Sequence, residues 1–465
     1  MRLKTLLLGT LALLPSPVLA QALTPAESAK VDTIVADALK SSGVPSASVA
    51  IVRDGKIVFT KAWGNQGPDV PATTPDARYQ IASISKQFTA AALLLLEDEG
   101  KLSLDDKVSK WVPDVTDADK ITIRQLLSHT AGLQDYWPQD YSFAAMEKPI
   151  TPQEIVDRWA RKPLDFAPGT QWQYSNTGFV VAGMIIEKAS GEKLLDYLNH
   201  KIFKPLDMHP INQDLAVGKG FPTGYHRYAL GPVRPEKPAA AGWLWAAGEL
   251  AMTASDLAKW DVARIERKIL TPEDWAEQEK MVMLADGKPS GYGLGVSIGD
   301  YGGHPEISHG GEAVGFLSQN VVIPDARFAV VALVNADFGG AQGTIADGIK
   351  TLLVPAVKAQ DDESYRTDLA RRVYAGLQRG ELDRSLFTTD ANYYFTTQAV
   401  TDYRDSLGTL GAPKSFVALR GPRLRGGFVN RNYRITYPDR TLILVSYAEP
   451  GRDGKIEQYL VMPGD

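Results

Sequence analysis

Residues 83–99 read Ser-Ile-Ser-Lys-Gln-Phe-Thr-Ala-Ala-Ala-Leu-Leu-Leu-Leu-Glu-Asp-Glu, and Gly100 follows as a helix stop. From Ala90 to Leu96 no polar face interrupts the run. A helix that is apolar all round belongs in the middle of a domain. This stretch therefore predicts a buried helix that opens with a hydroxyl and, three residues on, an amine. Positions i and i+3 share a helix face, so Lys86 can reach the Oγ of Ser83. Serine is a poor nucleophile until a base takes its proton. A lysine in a dry site gives up its own proton more readily, because desolvation disfavours the ammonium. The positive end of the helix dipole favours the anion formed as Ser83 attacks. Ser83 is the candidate nucleophile and Lys86 its candidate base. Ser-x-x-Lys recurs at Ser190-Gly-Glu-Lys193, where Gly191 ends a helix; that copy reads as a solvated turn.

The 465 residues are 44% hydrophobic and 23% charged, an ordinary globular balance with length for two or three domains. The net charge of −5 and the lack of a long basic run give nucleic-acid binding no support. With no cysteine, disulfides, thiolate metal sites and cysteine nucleophiles are excluded. The six histidines, at 129, 200, 209, 226, 304 and 309, form no His-Glu-x-x-His pattern. No metal or other cofactor is expected. At the N-terminus, Arg2 and Lys4 precede an apolar stretch from Thr5 to Leu14, and Val18-Leu-Ala20 fits a small-residue cleavage site. The expectation is a signal peptide over 1–20, cut after Ala20, and a mature protein that is secreted or periplasmic. The run is too short to span a bilayer, Pro15 and Pro17 interrupt it, and no later segment reads as transmembrane.

Along the mature chain, Pro25–Leu39 is an amphipathic helix pattern. Ala47–Val52 and Lys56–Trp63 read as strands joined by Asp54-Gly55, a hairpin signal. After Ser83 the pattern is mostly helical, clearest at Ile121–Leu127, Pro152–Ala160, Thr177–Ala189 and Ala254–Ile265. Strands return at Gly291–Ile298, Val314–Ile323 and Phe328–Val334, followed by a helix over Gln342–Val354. The expected fold is α+β: one antiparallel sheet of the first hairpin and the late strands, covered by the two terminal helices, with an all-helical region packed beside it. This domain spans 21–356. Residues 357–366 are polar and read as a linker, and 367–465 as a small α+β domain with a helix over Asp368–Arg379. Its strands are expected at Ser415–Leu419, Arg425–Asn430, Tyr433–Tyr437, Thr441–Ala448 and Gln458–Val461.

Three further stretches carry chemistry. Tyr174-Ser-Asn176 offers a phenol that can relay protons and an amide that can orient a substrate. A second Tyr-x-Asn, Tyr197-Leu-Asn199, reads as surface. His309-Gly310-Gly311 sets two glycines before the Val314 strand, where backbone can approach a ligand closely. Leu126-Leu-Ser-His-Thr-Ala-Gly-Leu133 closes a helix. His129 reads as structural, its ring bonded to nearby backbone. Trp243, Trp245, Tyr136 and Trp137 suit an acyl pocket or a buried core equally well.

The order Ser83…Lys86, Tyr174…Asn176, His309…Gly311 resembles the penicillin-recognising serine hydrolases, in particular the branch of class C β-lactamases, D,D-peptidases and related esterases. Ile81–Lys86, Leu126–Leu133 and Ala246-Ala-Gly-Glu-Leu250 with Asp256-Leu257 look like signatures of that family, and the resemblance covers roughly 25–355. It implies a β-lactamase-like fold and a covalent acyl-enzyme on Ser83, with Lys86 and Tyr174 activating the nucleophile. It also implies an oxyanion hole of the backbone N–H groups of Ser83 and Glu312 beside Gly310 and Gly311, and substrate contacts at Asn176 and His309. The family pattern has lysine where His309 stands. A fixed positive charge is absent there, which weakens a β-lactamase reading. Small esters and D-amino-acid amides or peptides are the expected substrates; β-lactamase or D,D-carboxypeptidase activity is one alternative, and a non-catalytic binding protein on this fold is another. The C-terminal module resembles the cone-shaped α+β fold named after nuclear transport factor 2, which could bind a ligand, cover the site or pair subunits into a homo-oligomer.

Overall fold

The computed structural model describes residues 22–138, 143–355, 359–419 and 421–464. The expected signal peptide over 1–20 lies outside the described residues. The chain divides after Pro355 into two compact units.

Helix α1 (Pro25–Ser42) starts at a capping box. Thr24 Oγ1 accepts from Glu27 N, Glu27 Oε2 accepts from Thr24 N, Pro25 takes the first turn, and Gly43 ends the helix in the left-handed region. Its buried stripe is Val31, Val35 and Ala38. Strands β1 (Ser46–Arg53) and β2 (Lys56–Gly64) meet at Asp54 and Gly55, both at positive φ, as a two-residue hairpin turn requires. The late strands are β3 (Ser297–Tyr301), β4 (His304–Ala313), β5 (Phe316–Ile323) and β6 (Phe328–Val334). They complete a six-stranded antiparallel sheet in the order β2-β1-β6-β5-β4-β3. Val49 and Ile51 of β1, with Val330 and Ala332 of β6, face α1 and the helix Ala341–Leu353. Ala50, Val52, Val331 and Leu333 face the helical region. Both faces are covered, so the central strands are apolar throughout.

Two of the late expectations change. Gly291–Ile298 is not one strand: Gly291 and Gly295 sit at positive φ, and extended pairing begins only at Ser297. Gly295 packs directly against the carbonyl of Lys86, where a Cβ would collide. His309-Gly310-Gly311 is not at the start of a strand but lies inside β4, which pairs with β3 over 304–308 and with β5 over 307–313. Pro305 and the glycine pair depress its strand propensity; pairing of Pro305 with β3 and of the glycines with β5 overrides that.

The helical region is built on α2 (Lys86–Asp98), whose residues from Lys86 to Leu96 are buried except for Leu95. Phe88 packs on Phe203 and Trp260 at ring centroid distances of 5.2 and 4.8 Å. Helix α3 (Asn176–Ser190) lies beside α2 and is capped by Ser175. The second Ser-x-x-Lys is a surface feature, with Lys193 paired to Glu187. Tyr197, expected on the surface, is instead wholly buried in the core near the far end of α2, because its helix turns that face inward.

In the second unit the stretch 357–366, expected as a linker, is helical from Ala359 and continues to Arg379. Its polar residues have partners inside the unit: Glu363 pairs with Arg431, and Arg366 donates to the carbonyl of Gly454. Two shorter helices, Thr389–Tyr394 and Thr397–Leu407, complete the helical side. The two strands expected over 425–437 form mainly one, Phe428–Thr436, with only Arg423–Arg425 separate. Arg431 breaks the apolar alternation, yet it points to the helical side and is neutralised there by Glu363.

Candidate active site

Ser83 does not stand on the α-helix itself. Residues Ala82–Ser85 form a 3₁₀ turn, and α2 begins at Lys86. Side chains three apart eclipse in a 3₁₀ turn, so the tighter geometry strengthens the expected pairing: Lys86 Nζ lies 3.0 Å from Ser83 Oγ. The turn is entered through Ala82 at φ 47°, a conformation L-residues avoid. The surroundings hold it there. Ile81 N donates to Leu250 O, and Ile81 O accepts from Ser318 Oγ at 2.9 Å.

Lys86 is fully buried. Besides Ser83 its Nζ meets Asn176 Oδ1 at 2.8 Å and Ala247 O at 2.7 Å. The rings of Tyr174 and Phe179 lie 4.9 and 5.3 Å away. Burial lowers its pKa to about 7, against the opposing pull of the Asp135 carboxylate. The amine is therefore poised to exist unprotonated near neutrality. Burial also pushes the Tyr174 phenol well above its usual range, against its hydrogen bond to Ser83, so the phenol keeps its proton.

His309 is buried on β4. Its Nε2 is 2.6 Å from Tyr292 Oη, and its Nδ1 is 2.5 Å from the carbonyl of Gly310. A carbonyl only accepts, so Nδ1 carries the hydrogen and Nε2 accepts from the tyrosine. Desolvation, then the neighbouring Lys86, lowers its pKa to about 4. His309 is a neutral ring that builds the wall, not a fixed positive charge. His129 is also buried and neutral. Its Nδ1 accepts from Ser175 N at 3.1 Å, and its ring packs among Tyr174, Phe179 and Tyr292. Gly311 has no room for a side chain: a Cβ would overlap Ile81 O and Ser318 Oγ. Gly311→Ala should push β4 from the Ser83 turn, costing about 1–3 kcal/mol of stability and most of the activity. Urea denaturation and a rate assay check this; unchanged values would show that the approach is not needed.

Ser83, Tyr174, Asn176, His309, Gly310, Gly311 and Glu312 line one cleft of about 770 Å³, with Lys86 beneath it. Tyr136 and Trp243 resolve to core: both are buried, and the phenol donates to the Trp243 carbonyl. Trp245 packs against the same core, whereas Trp137 lines the cleft. Two participants carry no recognisable sequence signal of their own. One is Asp135, which accepts from Asn176 N at 3.0 Å and Asn176 Nδ2 at 3.3 Å. The other is the carbonyl of Ala247, within the Ala246–Leu250 stretch.

The Beta-lactamase family model matches residues 31–352. The chain belongs to the Beta-lactamase family. Within that family it is 30% identical over 306 residues to a D-aminopeptidase of Brucella anthropi, covering 63% of this chain and 57% of the relative. The chain thus spans little more than half of that relative's length. Among solved structures, a D-stereospecific amidohydrolase from Streptomyces sp. matches 69% of this chain and 98% of its own, with TM-score 0.60 and 32% identity. An octameric penicillin-binding protein homologue from Pyrococcus abyssi, at 22% identity and TM-score 0.62, covers 93% of this chain and 95% of its own, so the likeness of fold extends through the second unit. The family's β-lactamase-like architecture is the one described above.

Proposed function

We propose that this chain is an exported serine hydrolase that forms a covalent acyl-enzyme on Ser83 and cleaves small amides or peptides of D-amino acids that carry a free amine. The observation that carries this reading is the buried Lys86 amine, 3.0 Å from Ser83 Oγ with a pKa lowered to about 7. In the first step Lys86 takes the Ser83 proton as Oγ bonds to the substrate carbonyl carbon, and the carbonyl electron pair moves onto oxygen. The backbone N–H groups of Ser83 and Glu312 receive that oxyanion. Tyr174 passes its proton to the departing amine and is reprotonated by the Lys86 ammonium; water then attacks the acyl carbon, giving its proton to Lys86, and that proton returns to Ser83 Oγ as the acid leaves.

The electrostatics of the cleft favour the amine-bearing class. Asp135, Glu236, Glu312 and Asp337 line it, and among its described lining residues there is no lysine or arginine. His309 is neutral. Such a cleft attracts an ammonium and repels the carboxylate of a β-lactam or a C-terminal D-alanine. The D-aminopeptidase and D-stereospecific amidohydrolase among the relatives support the amide reading. Among the described residues no helix is long and apolar enough to cross a membrane; export rests on the N-terminal pattern.

The test compares kcat/KM for D-alanine p-nitroanilide, its N-acetyl derivative, p-nitrophenyl butyrate and a chromogenic cephalosporin. The free amine should be preferred over the acetylated form by about tenfold or more, one charge contact in a part-buried cleft. Faster turnover of the acetylated form, or of the cephalosporin, would overturn the amine reading. Preference for the butyrate would make the chain an esterase.

A further inference from the structure

Asn176 has an amide whose two ends look alike in shape but not in hydrogen bonding. One end faces Lys86 Nζ at 2.8 Å and the other faces the Asp135 carboxylate at 3.3 Å. Asp135 is held as an acceptor by three N–H groups: the backbone of Trp137 at 3.2 Å, the backbone of Asn176 at 3.0 Å, and Asn176 Nδ2. Burial raises the Asp135 pKa, and these N–H groups oppose it by binding the ionised form, which accepts and does not donate. It therefore admits only the nitrogen end of the Asn176 amide. The oxygen end must then face Lys86.

That orientation has a consequence for the amine. A neutral lysine has two hydrogens and one lone pair. Asn176 Oδ1 and the carbonyl of Ala247, 2.7 Å away, are both acceptors and take one hydrogen each. The third neighbour is Ser83 Oγ at 3.0 Å, and the lone pair is left to face it. If the amide were reversed, Nδ2 would present hydrogens to Lys86. The lone pair would turn to Asn176, and a hydrogen of the amine would point at the nucleophile it has to deprotonate.

We propose that Asp135 is a positioning residue for proton transfer: by fixing the orientation of the Asn176 amide it directs the lone pair of Lys86 at Ser83, and its charge steadies the ammonium formed when the proton arrives. This rests on the Ser83–Lys86 reading above. The transfer balances simply: the Ser83 O–H proton moves to Lys86 Nζ, which becomes an ammonium, and the Oγ electron pair forms the bond to the substrate carbon. The other titratable groups around the amine supply no competing charge. His129 and His309, both near it, are held neutral by burial, and Tyr174 keeps its proton. Glu312, on β4, acts on Tyr174. Asp135 raises the pKa of Lys86 against the larger effect of burial.

The test is the pH profile of kcat/KM for the full-length protein and its Asp135→Asn and Asp135→Glu variants, with thermal melting to confirm folding. Asparagine has the size of aspartate but can present a donor or an acceptor, and it has no charge. Asp135→Asn should lower the plateau by about 10²-fold, the scale of a misaligned catalytic group. It should also move the acid limb to lower pH by about one unit, since an opposite charge has been removed from beside Lys86. Asp135→Glu should return the limb towards the wild-type position. A plateau loss with an unmoved limb would mean a structural role only and would overturn the proposal. The underlying reading fails separately, if Ser83→Ala retains turnover. A second measurement needs no variant. Neutron diffraction of the wild-type protein should place both amide deuterons of Asn176 on the atom facing Asp135; deuterons on the side facing Lys86 would refute the proposal.

Discussion

Replacing Ser83 by alanine is expected to abolish turnover of D-alanine p-nitroanilide and p-nitrophenyl butyrate alike, by a factor on the order of 10⁴–10⁶ in kcat. The loss should be in kcat with KM little changed, because the cleft walls remain. Among the described residues of the cleft none is placed to substitute for Ser83. Ser318 is buried, and its hydroxyl is committed to the Ile81 carbonyl. The wild-type protein mixed with the butyryl ester should gain the mass of one butyryl group on the peptide containing Ser83, whereas the variant should gain none. Turnover retained by the variant, or the acyl group found on another residue, would remove Ser83 from the mechanism.

Lys86→Met is expected to lower kcat by about 10²–10⁴-fold, the usual worth of a general base. In the wild type the rate should rise through about pH 7, since the base must be unprotonated and its pKa lies at about 7. The variant should lose that limb. The same shift predicts an effect on stability, and its sign follows from which state holds more protons. Free lysine in the unfolded chain stays protonated up to its ordinary value of 10.5, whereas the folded protein releases the proton at about 7. Between these values the unfolded state binds more protons, so the stability contributed by Lys86 rises with pH across this window and is lowest below it. The variant has no such dependence. Relative to wild type it should gain about 3 kcal/mol as the pH falls from 9.5 to 7, at 1.36 kcal/mol per unit. The Asn176 and Ala247 carbonyls lose their donor in the variant, a cost that is the same at every pH and leaves this difference unchanged. Urea denaturation at the two pH values measures the difference, and equal differences at both would show that Lys86 is not a buried neutral amine.

The acidic cleft, the neutral His309 and the 3₁₀ turn at Ser83 bear on one another. With His309 neutral, Lys86 is the basic group at Ser83 among the described residues, and its burial keeps it from being a fixed cation. The active centre therefore has little positive charge to offer a substrate carboxylate, while the carboxylates around it suit an amine.

Much of the fold was legible along the chain because its signals are local. The all-apolar run after Ser83, the Asp54-Gly55 turn and the cap before Pro25 each depend on neighbours within a few residues. What was missed depended on partners elsewhere. The strand His304–Ala313 has glycines and a proline in its sequence and is extended only because β3 and β5 pair with it. The polar start of Ala359–Arg379 is helical with its charges neutralised by residues far along the chain. Tyr197 is buried because its helix packs beside α2.

By itself the sequence brought forward Ser83 and Lys86 as candidate nucleophile and base, with the Tyr174–Asn176 pair and the glycines of the third motif, because each is a short pattern of residue types with its own chemistry. Only the tertiary structure decided how they work. Asn176 meets Lys86 across 90 positions of chain, and Tyr292, from a loop, donates to the ring of His309 on β4. Asp135 is an unremarkable loop residue until folding sets its carboxylate against the Asn176 amide. Burial, which no spacing encodes, sets the charge states of Lys86 and His309, and with them the chemistry of the site.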